Sequence, residues 1–267
     1  MTDTTMASWL VRRQPQAHSV QARLFCFSYA GGGASAYRLW GAGLPSELEV
    51  CAVQLPGREG RYREPAYTRI EQIVAALLPA LRPHLNLPFA FFGHSMGAVV
   101  ASELTTALAA SGGPAPQHLF VSSRRGPGIP DPDAPLSKLS DAAFVVELNR
   151  RYGGIPAEVM RDAEMMSLLL PSLRADIGAL ENYVAAPQMR LSVPLSVFGG
   201  SDDSRVPRAH LEAWRQVAAG EFRMRLFTGD HFYINPRRAE VLAEVSATLA
   251  PMLHSAARLA RSPEAVG

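Results

Sequence analysis

Short apolar runs alternate along this chain with stretches in which apolar positions recur every three or four residues. The runs at 23–29, 50–55, 89–92, 118–122, 194–198 and 222–227 predict strands. Helical spacing at 37–44, 70–81, 98–110, 208–217 and 237–253 predicts the helices between and after them. Strands alternating with helices imply an α/β fold, a mostly parallel central sheet covered by helices on both faces. Residues 1–20 are polar and mixed and predict a loosely held start, and 56–61 breaks the pattern as a loop. Between 126 and 188 the character changes: Pro127, Pro130, Pro132 and Pro135 open a region that becomes helical at 142–151 and 162–183 and carries no strand pattern. An all-helical insert between two strands of such a sheet reads as a cap over the strand ends, where ligands bind. No internal repeat or linker divides the chain, so 1–267 is expected to form one domain with 126–188 as a helical lid inside it.

The junction between the run at 89–92 and the following helix is Gly93-His94-Ser95-Met96-Gly97. A G-x-S-x-G between a strand and a helix has the layout of a nucleophile elbow, a turn so tight that glycines are needed two residues either side of the serine. A serine hydroxyl is a poor nucleophile until a histidine takes its proton and an acid orients that histidine. In this architecture the three occur in the order Ser, Asp or Glu, His. Downstream of Ser95, the loop after the strand at 194–198 carries Asp202 and Asp203, and the loop after 222–227 carries His231. Asp203 fits the spacing Gly-x-x-Asp-x-x-Val-Pro from Gly200 to Pro207, with Asp202 as the alternative, and Asp230 reads as a turn residue. His94 lies inside the elbow as a packing group, while His18, His84, His118, His210 and His254 sit at element ends or on helix faces and are expected to be solvated. Two backbone N–H groups should stabilise the oxyanion, those of Met96 at the start of the helix and of Ala30 in the loop Ser28-Tyr29-Ala30-Gly31-Gly32.

Composition narrows the classes. At 48% hydrophobic over 267 residues, the chain can bury one large core. A net charge of +2 with scattered arginines argues against nucleic-acid binding. No run approaches the roughly eighteen apolar residues of a membrane span, and the first residues lack the pattern of a secretion signal. Cys26 and Cys51 fall in strand-like runs and read as buried thiols in a reducing cytoplasm. No Cys/His spacing suggests a metal site.

Five segments together resemble the type II (external, editing) thioesterases of polyketide and nonribosomal peptide assembly lines. They are Leu24-Phe25-Cys26-Phe27-Ser28-Tyr29-Ala30-Gly31-Gly32, Val53-Gln54-Leu55-Pro56-Gly57-Arg58, Phe92-Gly93-His94-Ser95-Met96-Gly97, Leu170-Pro171-Ser172-Leu173-Arg174-Ala175-Asp176 and Thr228-Gly229-Asp230-His231-Phe232-Tyr233. The elbow is shared by many hydrolases, whereas the Gln-Leu-Pro-Gly-Arg and Leu-Arg-Ala-Asp segments are far more specific. The resemblance implies an α/β-hydrolase fold with a mobile lid, and a triad of Ser95, Asp203 and His231 with Ala30 and Met96 as oxyanion donors. It also implies hydrolysis of acyl groups from the phosphopantetheine thiol of acyl or peptidyl carrier proteins, by a monomer that needs no cofactor beyond the arm its substrate carries. Two positions depart from the family: Ser28 stands where Pro is usual, which would loosen the loop carrying Ala30, and Asp230 stands where Gly is common. The methionines Met160, Met165 and Met166, with Tyr29 and Phe232, are expected to line an adaptable acyl site. Arg58, Arg61, Arg63, Arg124 and Arg125, on predicted loops, are candidates to meet an acidic carrier protein. A small-molecule esterase and a dedicated product-release thioesterase are the competing readings.

Overall fold

The computed structural model of the protein describes residues 9–13 and 20–260. Among the described residues seven strands make one sheet: β1 (Leu10–Arg13), β2 (Ala22–Phe27), β3 (Leu48–Val53), β4 (Phe89–His94), β5 (His118–Ser122), β6 (Leu195–Gly200) and β7 (Phe222–Phe227). They lie in the order β1-β3-β2-β4-β5-β6-β7, and every pairing is parallel except that of β1 with β3. Two of the helices, α1 (Ile70–Leu81) and α2 (Met96–Ala110), pack against one face.

The apolar runs are nearly continuous because both faces of the sheet are covered. Along β4, Phe89 and Phe91 enter the core that holds Ile73, Leu77, Val100 and Leu104 of α1 and α2. Ala90 and Phe92 point the other way, into a core with Phe120, Phe198 and the C-terminal helix residues Val241, Val245 and Leu249. The register aligns Phe27 with Gly93, His94 with Ser122, and Gly200 with Phe227, so the loops after β2, β4, β5, β6 and β7 emerge along one edge.

Between β5 and β6 the chain forms α3 (Asp141–Tyr152), α4 (Ala157–Arg161) and α5 (Ala163–Glu181). With Leu136 of the turn before α3, their apolar residues Phe144, Leu148, Leu173 and Ile177 build a separate small core, against which Ala30 of the loop after β2 packs. This places the helical segment over the strand edge from which the loops emerge.

Three expectations need correction. Residues 10–13, inside the stretch read as a loose start, form β1 and pair with Val50–Val53. Alternation there is too short to register, and the strand exists because β3 offers an edge. The helix expected at 37–44 is two short 3₁₀ turns, Ala34–Tyr37 and Gly41–Gly43, because Gly41 and Gly43 weaken any longer helix while Tyr37 and Trp40 anchor the segment in the core. The helix expected over 208–217 is α6 (Arg208–Glu212) followed by a 3₁₀ turn. The last helix is α7 (Arg238–Ala260). His18 lies outside the described residues.

Candidate active site

The turn from β4 into α2 puts Ser95 at φ 55° and ψ −111°, a conformation side chains rarely adopt. The turn closes only because its flanks are bare. A Cβ on Gly93 would collide with the carbonyl of Gly97, and one on Gly97 would collide with the carbonyl of Phe27 on the neighbouring strand. The Ser95 N–H donates to Ser122 O at 2.8 Å, fixing the elbow to β5.

His231, on the loop after β7, brings Nε2 to 3.0 Å from Ser95 Oγ and Nδ1 to 2.7 Å from Asp203 Oδ2. Asp203 Oδ1 accepts the backbone N–H groups of Arg205 (3.0 Å) and Val206 (3.1 Å), which locks the carboxylate. Burial pushes the Asp203 carboxyl up, but the hydrogen bond and charge of His231 and those two amides outweigh it, so it sits below the ordinary range. An ionised Asp203 requires the proton on His231 Nδ1, leaving the Nε2 lone pair facing the Ser95 hydroxyl. That arrangement can take a proton from serine. Asp202 stays out of it, exposed and accepting from Ser201 Oγ at 3.0 Å, and Asp230 caps its own turn through Phe232 N–H at 2.8 Å.

His94 is fully buried, with Nδ1 2.8 Å from Ser122 Oγ, which in turn lies 2.7 Å from Tyr233 OH. Burial and then the nearby His231 hold its pKa well below the usual histidine range, so it is a neutral packing group. His118 contradicts its expected exposure: it is buried, 2.8 Å from Ser196 Oγ, and burial lowers its pKa to about 4. A position at a strand start looks exposed in sequence, but the His118 ring packs 4.5 Å from that of Phe120 and bonds to β6.

Met96 begins α2, so its N–H is one of the first-turn donors that no helical carbonyl can satisfy. Ala30 lies in a loop held from three sides. Asp176 Oδ2 accepts Gly31 N–H at 2.7 Å, Gln54 Oε1 accepts Ala34 N–H at 3.0 Å, and Glu59 accepts Ser35 Oγ–H at 2.5 Å. Asp176 is fully buried on α5 and is itself gripped by Arg58, whose Nη1 and Nη2 donate at 2.5 and 2.9 Å. Ser28, where a proline was the family expectation, buries a hydroxyl without a hydrogen-bond partner among the described residues. The holding roles of Gln54, Arg58 and Asp176 were missed from sequence. The available signal was polar residues set in apolar or helical surroundings, within the two segments most specific to the resemblance.

Ser95 and His231 open into a cavity of about 270 Å³ roofed by the helical segment. Tyr29 and Phe232 line it, edge to face at 5.0 Å, as do Leu148, Tyr152, Leu169 and Leu173. Met160, Met165 and Met166 do not. Leu169, Leu173 and Ile177 recur at four-residue spacing on the cavity face of α5, and Met165 continues that stripe one turn beyond the cavity into solvent, where it is 50% exposed. On α4, Val159 lines the cavity and Met160 turns outward.

Of the five loop arginines, Arg63 alone is exposed. Arg58 is held by Asp176, Arg61 stacks on Trp9 at 4.1 Å and pairs with Glu64, and Arg125 pairs with Asp131 at 3.1 Å. Arg124 is half-buried and lines the cavity. Polar loops look like solvent-facing surface in sequence, but the buried Asp176 and the Trp9 ring draw Arg58 and Arg61 inward. Cys26 and Cys51 are buried and free, and burial pushes the Cys51 thiol up to about 12. Among the described residues no helix is long and apolar enough to cross a membrane.

The chain matches the model of the thioesterase domain over residues 22–249. It is 42% identical over 234 residues to the gramicidin S biosynthesis protein GrsT of Aneurinibacillus migulanus, covering 88% of this chain and 91% of that protein. It is 41% identical over 251 residues to a Brevibacillus parabrevis protein named linear gramicidin dehydrogenase LgrE, covering 93% and 95%. Among solved structures, the type II thioesterase BorB from the borrelidin biosynthetic cluster superposes with a TM-score of 0.82 at 32% identity, covering 93% of this chain and 100% of that one. The serine elbow, the histidine within reach of it and the roofed cavity are thus the local form of a wider likeness: this chain belongs to the thioesterase family, on an α/β-hydrolase fold.

Proposed function

We propose that the chain hydrolyses acyl thioesters borne on the phosphopantetheine arm of acyl or peptidyl carrier proteins, clearing stalled or mis-primed chains from a polyketide or nonribosomal peptide synthase. The observation that carries this reading is the hydrogen-bonded series Asp203–His231–Ser95 beneath an apolar cavity at the strand edge. The gramicidin S name of GrsT and the borrelidin cluster of BorB support the carrier-bound substrate.

In this reading His231 Nε2 takes the Ser95 proton as Oγ attacks the thioester carbonyl, and the Met96 and Ala30 N–H groups receive the oxyanion. The pantetheine thiol leaves, taking the proton from His231. Water then enters and gives a proton to His231 as its oxygen attacks the acyl-serine carbonyl, and His231 returns that proton to Ser95 Oγ as the free acid leaves. Asp203 keeps the imidazole in the productive tautomer and stabilises its charged form. The segment 126–188 acts as the lid, and every group the reaction uses belongs to one chain, with no cofactor of its own.

The test is turnover of acyl-loaded carrier protein by Ser95→Ala, which should fall by three or more orders of magnitude with the fold intact. Near-normal thioester turnover in that variant refutes the triad. Parallel assays on p-nitrophenyl esters decide against the esterase reading if the carrier thioester is the better substrate. The dehydrogenase name of LgrE does not fit the local geometry here. The glycine loop after β2 leads into a four-residue 3₁₀ turn, Ala34–Tyr37, not into the long helix whose N-terminus holds a dinucleotide pyrophosphate.

A further inference from the structure

On the β5 side of the cavity the acidic groups are already taken. Arg125 pairs with Asp131 at 3.1 Å and donates to Pro130 O at 2.8 Å. Arg205 also takes Asp131, at 2.9 Å, and binds Asp133. Arg151 donates to Glu147 at 2.8 Å and approaches Asp133 to 3.8 Å. Arg124 stands among these groups and lines the cavity, yet among the described residues its guanidinium has neither an ion pair nor a side-chain hydrogen bond. Its backbone is pinned, since Trp214 Nε1–H donates to Arg124 O at 2.8 Å. Burial, and then the neighbouring Arg125, lower its pKa against the smaller opposing pull of Tyr152, Tyr183 and Asp131.

A guanidinium offers five N–H donors in a rigid plane, and leaving it half-desolvated without acceptors is unfavourable. The apolar wall formed by Leu148, Leu169, Leu173 and Ile177 offers it none. Its place along the cavity is set by its neighbours: Ser122 O accepts the Ser95 N–H, and Ser123 Oγ–H donates to His231 O at 3.2 Å. Arg124 therefore leaves the backbone at the catalytic end of the cavity, next to Ser123. We infer that Arg124 is a specificity-determining residue that accepts acyl chains bearing an oxygen acceptor, a carboxylate or a ketone, close to the thioester carbonyl. This rests on the thioesterase reading above and adds the class of acyl group to it.

The experiment measures kcat/KM of wild type, Arg124→Met, Arg124→Gln and Arg124→Lys on acetoacetyl, malonyl and butyryl thioesters of pantetheine. Each oxygen-bearing substrate is expressed as a ratio to butyryl within the same variant, so intrinsic reactivity cancels when variants are compared. Arg124→Met and Arg124→Gln should each lower one or both ratios at least 10-fold, mainly through KM. Loss of the malonyl ratio, with partial return in Arg124→Lys, identifies a carboxylate; loss of the acetoacetyl ratio alone identifies a ketone. If the two neutral variants leave both ratios unchanged, or depress all three substrates alike, the inference is overturned while thioester hydrolysis stands. A wild-type enzyme inert on every thioester overturns both.

Discussion

Arg58 and Asp176 meet through two hydrogen bonds of 2.5 and 2.9 Å although 118 positions separate them in sequence. The pair joins the turn after β3 to α5 of the helical segment, and the same carboxylate holds Gly31 N–H, one residue from Ala30, the proposed oxyanion donor. Removing one member leaves a buried charge uncompensated, a loss of about 3–5 kcal/mol. Asp176→Asn should therefore melt at much lower denaturant and lose roughly 10-fold or more in kcat, a fraction of the cost of deleting an oxyanion donor outright. Arg58→Met with Asp176→Leu should recover most of the stability, because an apolar pair replaces the ions, but not the rate, because Gly31 has lost its acceptor. Recovery of both would show that the pair only stabilises the fold.

Strain at Ser95 separates two inactive variants. Ser95→Ala keeps a Cβ at φ 55°, whereas Ser95→Gly removes the clash while adding chain entropy to the unfolded state. Chemical denaturation should find Ser95→Gly equal to Ser95→Ala or up to about 2 kcal/mol more stable. A clearly less stable glycine variant would mean the elbow stores no strain.

Chain-length preference should respond to α5, not to the methionines. Leu169→Trp places an indole in the cavity and should raise KM for long acyl thioesters about 10-fold, around 1.4 kcal/mol of lost binding, while sparing acetyl. Met165→Ala, at a half-exposed site off the cavity, should leave the acyl-length profile unchanged. Profiling kcat/KM across acetyl to decanoyl substrates checks both.

His118 makes stability depend on acidity. Its folded pKa of about 4 lies below the ordinary 6.5, so the unfolded chain binds the proton more tightly. The stability it contributes is complete above about pH 6.5 and is lost as pH falls toward 4. The drop corresponds to about 3 kcal/mol. His118→Asn should be less stable than wild type at pH 7 yet lose less on acidification, as equilibrium unfolding at pH 7, 5.5 and 4 would measure.

How much of this was legible in the sequence varies with the range of the interactions involved. The strands β2 to β7 and the elbow are local signals, a run of apolar residues or two glycines around a serine, and they read directly. Asp203 was separable from Asp202 only by spacing, because what distinguishes them is which carboxylate reaches His231 Nδ1 across the sheet edge. The methionines misled because composition says nothing of where along α5 the cavity ends. Buried arginines misled for a related reason: Arg58 and Arg61 look like surface until Asp176 and Trp9 arrive from distant parts of the chain.

β1 carries a practical consequence. Leu10–Arg13 runs antiparallel along Val50–Val53, capping one border of the sheet, yet it precedes residue 22, where the family match begins. A version trimmed to the matched segment would strip that border and expose a row of unpaired amides and carbonyls beside the apolar residues Val50 to Val53. Such a truncation should self-associate on concentration while keeping its chemistry, so a shortened expression clone that precipitates would be reporting an uncovered strand, not a damaged catalyst.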